Sequence, residues 1–174
     1  MSTPKQLLLI TSLFLSSVSL AQEGPGLGVP ATPEQIAGWD ISIDPSGANL
    51  PAGSGTVAQG AGVYMTYCLA CHGEGGQGGT NDQLVGGHGT LASESAVRTV
   101  GSYWPYATTL FDYIRRAMPF TLPGSLTDDQ AYALTAYILQ LNGIIDEDDV
   151  MNAQTLPAVE MPNRDGFVWV WMED

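Results

Sequence analysis

The sequence predicts an all-α protein, and two observations carry this prediction. Three segments combine a helix-start signal or a proline stop with apolar residues at helical spacing. The segments between them are rich in glycine and proline, and the chain has no internal repeat. A length of 174 residues suits one domain with extensions rather than two domains. We therefore expect one helical domain flanked by a long N-terminal arm and a C-terminal tail.

The first predicted helix begins after Thr56, because residues 56–59 have the form of a capping box with Gln59 at the third position. An apolar stripe with small residues at its centre follows at helical spacing. Gly60 and Gly62 cost helix stability, which indicates that a second helix crosses there at close range.

Two further helices are expected downstream. One runs from about Thr108 to Ala117, where Pro119 stops it. The other follows a second capping box at residues 127–130 and ends at Asn142-Gly143. Its apolar face is regular and consists of Leu134, Tyr137, Ile138 and Leu141.

Residues 1–21 read as an export signal. Lys5 lies in the short polar start, an apolar run with serines extends to Leu20, and Ser19-Leu20-Ala21 offers small residues for a signal peptidase. The run is shorter than the roughly 20 apolar residues of a membrane span. We expect cleavage after Ala21 and a periplasmic or otherwise extracytoplasmic protein; retention of the segment as an anchor is the alternative.

The charge balance excludes some partners. Without residues 1–21 the chain has no lysine, and its four arginines stand against 18 acidic residues. Such a surface repels nucleic acid and anionic lipid and attracts basic patches on proteins. The alternative is that the acidity serves solubility alone.

The remaining boundaries follow from composition. Residues 22–52 form an arm, 53–143 the domain, and 144–174 the tail. Within the arm, the apolar stretch 36–43 alternates in its second half. It is expected to be a short extended segment, laid against the domain or against another subunit.

Cys68-Leu69-Ala70-Cys71-His72 is the motif that carries chemistry. Two thiols three positions apart can each add to one vinyl group of haem, and the adjacent histidine can coordinate iron. The sequence therefore predicts one covalent haem c. A zinc site that adds His88, a thioredoxin-like redox pair and a plain disulfide are the competitors. They fit worse, because His72 abuts Cys71, the chain looks helical and a disulfide leaves His72 unexplained.

Haem iron needs a sixth ligand, and Met118 is the prediction because it follows a helix and precedes the last one. The other downstream methionines are 151, 161 and 172. Met65 lies upstream of the motif, His88 is the rival ligand, and filling a gap in the core is the alternative role of any methionine. Haem propionates also need donors. The candidates are Arg98, Arg115, Arg116, Trp104 and Tyr106, of which we favour Trp104 and Tyr106.

From Gly53 to Gly143 the chain resembles a class I cytochrome c. The resemblance is carried by the Gly60/Tyr64 spacing, the haem motif, Met118-Pro119 and the aromatic helix 131–141. It implies the class I fold, in which the first and last helices cross at a glycine and aromatic contact.

A narrower resemblance covers nearly all the chain after residue 21. The segments 38–41, 53–56, 99–106, 111–120 and 161–167 are similar to the cytochrome subunits of sulfite and sulfane dehydrogenases. The resemblance implies a molybdenum-cofactor dehydrogenase subunit as electron donor and a downstream cytochrome or oxidase as acceptor, in sulfur oxidation. Some members have a second haem domain, whereas this chain has one attachment motif.

The expected function is electron transfer, without catalytic residues of its own; any enzyme activity would be that of a dehydrogenase complex. A free electron shuttle is the first alternative. A haem-based sensor or ligand-binding module is the second, and it requires an open or labile sixth position on the iron.

Overall fold

The computed structural model describes residues 27–168 and 170. The predicted signal segment 1–21 lies outside them, as do Trp169, Trp171 and Met172. Five helices and two strands are described: α1 (Pro33–Trp39), β1 (Ser54–Thr56), α2 (Val57–Tyr67), α3 (Leu69–His72), α4 (Ala107–Ala117), α5 (Asp128–Leu141) and β2 (Val150–Asn152). Short 3-10 turns occur at Glu74–Gly76 and Leu156–Ala158.

The helix bounds follow the sequence signals closely. Thr56 and Thr127 cap α2 and α5, and each accepts from the backbone N–H of a glutamine three residues on. The side-chain oxygen of each glutamine in turn accepts a hydrogen bond from the backbone N–H of the threonine, so both predicted capping boxes are confirmed. Helix α4 begins one residue before the predicted start, at Ala107.

Helices α2 and α5 cross at Gly60. A side chain there would overlap the backbone carbonyl of Ala133 and the Cβ of Tyr137, so only glycine lets the two helices approach this closely. Beside the crossing, the Tyr64 and Tyr137 rings lie 5.3 Å apart, centroid to centroid. The crossing that the sequence predicted is therefore confirmed.

The described chain is mostly α-helical, as predicted, but it also contains one small sheet that was not predicted. Strands β1 and β2 pair antiparallel, with Gly55 opposite Met151, and place residues 150–152 beside α5. Gly55 is required because a side chain there would overlap the backbone of Ala133. Each strand has only three residues, which is too few to produce a periodic pattern in the sequence. The sheet was therefore not predicted.

The residues from β2 onward do not form a loose tail. Their apolar side chains are buried in the same core as α4 and α5: Met151, Leu156, Val159 and Met161. The first part of the tail is thus an integral part of the domain.

The N-terminal arm differs from the expectation of an extended segment. Thr32 and Gln35 form a capping box with Pro33 at the first helical position, and helix α1 follows. This start signal was present in the sequence and was missed. No residue of α1 is buried, and Trp39 is 88% exposed. Ile43, further on, is buried in the core and fastens the arm to the domain.

Within residues 27–168 and 170, none of the helices has the length and apolar character to cross a membrane.

Candidate haem site

The two cysteines lie at the junction of α2 and α3. Cys68 ends α2 and is half-buried, whereas Cys71 is exposed on α3. No disulfide joins them. Burial, and then the neighbouring Cys71, raise the pKa of the Cys68 thiol to about 11. One side chain therefore points toward the domain and the other toward its surface.

His72 is held by one nitrogen and leaves the other available. Its Nδ1 lies 2.8 Å from the carbonyl oxygen of Asp82, which accepts a hydrogen bond from the protonated Nδ1. The imidazole is then a tautomer with a lone pair on Nε2. A histidine whose second nitrogen donates to a backbone carbonyl is the usual arrangement of a metal-ligating histidine.

The glycine-rich loop folds back against the motif. The backbone N–H of Gly78 donates to the carbonyl of His72 (2.8 Å), and that of Asn81 donates to the carbonyl of Cys71 (3.0 Å). Gly73 has φ 74°, and a side chain there would overlap the Gly78 carbonyl, so the loop needs glycine at this point. The loop therefore fixes the backbone on both sides of the histidine ring.

Tyr64 braces the same turn from the helix side. Its hydroxyl donates to the carbonyl of Gly73 at 2.8 Å, and its ring is buried against Tyr137. Burial raises the Tyr64 pKa to about 12, so the hydroxyl stays a donor at neutral pH. The helix crossing and the motif are thereby joined through one side chain.

The methionines fall into distinct environments. Met118 caps the C-terminus of α4, with its N–H on the Ile114 carbonyl and a half-buried side chain. Met151 and Met161 are each 3% exposed and pack in the core, which is the gap-filling role. Met65 is 63% exposed on α2. Met118 is thus the described methionine that is neither committed to the core nor on the open surface.

His88, the rival ligand, is exposed in its loop. Within residues 27–168 and 170, no group of three or more histidine, cysteine or acidic side chains is placed to hold a metal ion.

The segment from Tyr103 to Tyr106 carries the two favoured propionate donors. Trp104 is half-buried, with its ring edge-on to Tyr113 at 5.6 Å between centroids. Tyr106 is half-buried at the start of α4, and the Arg164 guanidinium lies 5.3 Å above its ring centroid. Among the described residues, no hydrogen bond uses the Trp104 indole N–H or the Tyr106 hydroxyl.

Residues of the tail hold this segment in place, and sequence reasoning assigned them no role there. The Asn163 amide donates to the Tyr103 carbonyl at 2.7 Å, and Phe167 packs edge-on to the Tyr103 ring. Such contacts span about 60 positions of chain and leave no local signal.

The arginines divide into two pairs. Arg115 bonds Asp128, and Arg116 bonds Asp112, so the charge of each is already paired with a carboxylate of the chain. Arg98 and Arg164 lie over the rings of Tyr103 and Tyr106 and, within the described residues, pair with no carboxylate. The sequence had not included Arg164 among the donors.

These residues fit a covalently attached haem. Two free thiols, an imidazole oriented to leave Nε2 available, an uncommitted methionine and two unused ring donors are the groups that such a cofactor needs. The fold and the motif together define a c-type cytochrome.

Comparison with known proteins extends this assignment. The family model for cytochrome C oxidase, cbb3-type, subunit III, matches residues 55–138. A chain in the crystal structure of the sulfane dehydrogenase SoxCD from Paracoccus pantotrophus superposes with a TM-score of 0.77 at 41% identity. That match covers 83% of this chain and 71% of the other.

A curated relative is more distant. The thiosulfate dehydrogenase of Stutzerimonas stutzeri (strain A1501) is 29% identical over 120 residues, which is 67% of this chain. The chain spans about a third of that relative's length, 32%.

The chain belongs to the cytochrome c family and carries covalently bound c-type haem. Within that family it resembles the cytochromes of sulfur oxidation.

Proposed function

We propose that this chain is the electron-accepting cytochrome subunit of a molybdenum-dependent sulfite or sulfane dehydrogenase. The observation that carries the proposal is the 41% identity to a chain of a sulfane dehydrogenase over 83% of this chain. That extent goes well past the haem domain and includes the parts of the arm and tail that a generic cytochrome lacks.

Four residues would attach the cofactor. Cys68 and Cys71 would form the two thioether bonds, and His72 through Nε2 and Met118 through its sulfur would be the ligands of the iron. When bound, haem with such ligands would supply one-electron transfer. The Asp82 carbonyl keeps the His72 ring in the required tautomer.

Trp104 and Tyr106 would donate hydrogen bonds to the propionates. Both donors are unused among the described residues, and both side chains are half-buried. A carboxylate removed from water must be paired or hydrogen-bonded. The Arg164 guanidinium over the Tyr106 ring adds a positive charge to the same region.

Electrons released by oxidation of a sulfur compound at the molybdenum subunit would reach this chain one at a time. A downstream cytochrome or oxidase would then remove them. The export signal predicted at residues 1–21 would place this chain in the periplasm.

The arm supports a fixed partner rather than a chance encounter. No residue of helix α1 is buried, and large apolar side chains of the helix and of the segment before it are more than half exposed: Leu27, Val29, Ile36 and Trp39. Apolar surface of this kind, projecting from a domain, is typical of a subunit interface.

The first test is made on the native complex. Sulfite, thiosulfate or a protein-bound sulfane is added to the purified protein, visible absorption follows haem reduction, and molybdenum is assayed in the same sample. Rapid reduction with molybdenum present is the expected result. If the haem stays oxidised and no larger subunit co-purifies, the dehydrogenase proposal fails and the cytochrome assignment stands.

The arm is tested with a matched pair of variants. Trp39→Ala should weaken co-purification of the larger subunit while the haem spectrum stays unchanged. Glu34→Gln lies on the same helix but removes a charge instead of apolar surface, so it should have no effect. Equal behaviour of the two variants would contradict the role of α1 in docking.

The sixth ligand is tested by Met118→Ala, with the exposed Met65→Ala as control. Loss of the thioether should lower the reduction potential and open the iron to carbon monoxide, whereas Met65→Ala should do neither. An unchanged spectrum in Met118→Ala would remove the ligand assignment. It would also favour a haem-based sensor or ligand-binding module, whose sixth position is open or labile.

A free electron shuttle is the second candidate, and the tail favours it. Residues 150–161 fold onto their own domain and not onto a partner, since Met151, Leu156 and Met161 are buried within the single chain. A shuttle would purify without a larger subunit and would be reduced by several unrelated donors.

A further inference from the structure

The loop that carries Met118 runs from the end of α4 to the start of α5, and an ion pair closes its base. Arg115 Nε lies 2.7 Å from Asp128 Oδ1, so the last turn of α4 is bonded directly to the first turn of α5. We propose that Arg115 and Asp128 are positioning residues that hold the Met118 thioether on the iron. The inference rests on the proposed role of Met118 as sixth ligand.

The loop has few other restraints between its ends. The Met118 N–H is bound to the Ile114 carbonyl, and the Leu122 N–H donates to the Pro119 carbonyl within the loop itself. Residues 120–125 are all exposed, and burial resumes at Leu126. Because no residue from 120 to 125 is buried, we expect the position of the loop to depend mainly on how its two ends are held.

Both charges suit the helix ends at which they lie. Arg115 is in the last turn of α4, where the helix dipole is negative, and Asp128 opens α5, where it is positive. The side chains are 27% and 36% exposed, so water screens the pair only in part. The ion pair therefore places a compensating charge at each of the two helix ends and also links the two ends directly.

The neighbouring pair gives an internal comparison. Arg116 bonds Asp112, four residues earlier on the same helix, and so does not cross the loop. Asp112 is buried, Arg116 bonds its Oδ2, and its Oδ1 has no hydrogen-bond partner among the described residues, so loss of Arg116 leaves a buried carboxylate uncompensated. Arg116→Ala should thus destabilise the fold at least as much as Arg115→Ala, without releasing the loop.

The expected consequence concerns the lability of the sixth ligand. An external ligand can bind only while the Met118 sulfur is off the iron. Loss of a partly buried ion pair should raise that open fraction about two- to fivefold, the range that corresponds to the energy of such pairs.

The experiment measures imidazole binding to the oxidised full-length holoprotein by stopped flow, together with the weak red absorption band of sulfur-ligated ferric haem. Arg115→Ala and Asp128→Asn should each bind imidazole about two- to fivefold faster. Arg116→Ala should keep the unchanged rate although its melting temperature falls. Arg115→Lys should stay nearer to the parent rate than Arg115→Ala, since only one nitrogen contacts the carboxylate.

The two proposals fail in different ways. If Met118→Ala leaves the red band and the imidazole rate unchanged, Met118 is not the sixth ligand. The ligand assignment and the positioning role of Arg115 and Asp128 then both fail. If Met118→Ala abolishes the band but Arg115→Ala and Arg116→Ala give the same imidazole rate, only the positioning role of Arg115 and Asp128 is overturned.

Discussion

The substitution Gly60→Ala tests the contact on which the fold depends. Gly60 and Gly62 both lie inside α2, yet their surroundings differ completely. A methyl group at position 60 would overlap the carbonyl of Ala133 and approach Tyr137 Cβ at 2.7 Å, whereas nothing lies within 4 Å of one at position 62. The two glycines therefore separate helix propensity from packing.

The magnitude follows from two opposing terms. Alanine is favoured over glycine inside a helix by about 1 kcal/mol. At position 60 the opposing term is overpacking, which costs about 1–3 kcal/mol and lies at the upper end here because the obstacle is backbone. The net result is a loss of about 2 kcal/mol for Gly60→Ala and a gain of up to about 1 kcal/mol for Gly62→Ala.

The assay is thermal unfolding of the holoproteins, followed by circular dichroism. For a chain of this size the melting temperature should fall by about 4–8 °C in Gly60→Ala and rise by about 2–4 °C in Gly62→Ala. Equal stabilisation by both substitutions would refute the close crossing of α2 and α5, because helix propensity alone would then account for the data.

Two further predictions concern buried polar groups. Asn142→Ala should lower the free energy of unfolding by about 2 kcal/mol in chemical denaturation. The reason is that the buried amide accepts from the Gly86 N–H and donates to the Ile138 carbonyl. The control is Gln140→Ala, at a half-buried residue in the last turn of α5. The second uses Tyr132, whose pKa burial raises to about 12 from 10.0. The unfolded chain loses this proton first, so stability should be full below about pH 10 and fall toward pH 12. Tyr132→Phe should make that decline shallower, with the remainder due to Tyr64; an unchanged slope would contradict the assignment.

The helices α2, α4 and α5 and the nature of the cofactor could be predicted from the sequence alone, whereas α1 and α3 were not predicted. Capping boxes at Thr56 and Thr127 set the starts of α2 and α5 because they are local hydrogen-bond patterns within four residues. The haem motif is equally local, since both thiols and the histidine fall within five positions. Gly60 indicated a close crossing of two helices, but the residue of α5 that contacts it could not be predicted from the sequence.

The contacts that distant segments make around the site could be seen only in the tertiary structure. The Asp82 carbonyl that orients His72, the Asn163 amide on Tyr103 and the ion pair between Arg115 and Asp128 all join separate parts of the chain. Each partner is a backbone group or a common side chain whose role depends on position in space. The same reason explains why β1 and β2, with three residues each, were not predicted: their pairing is a contact across nearly 100 residues that carries no local periodicity.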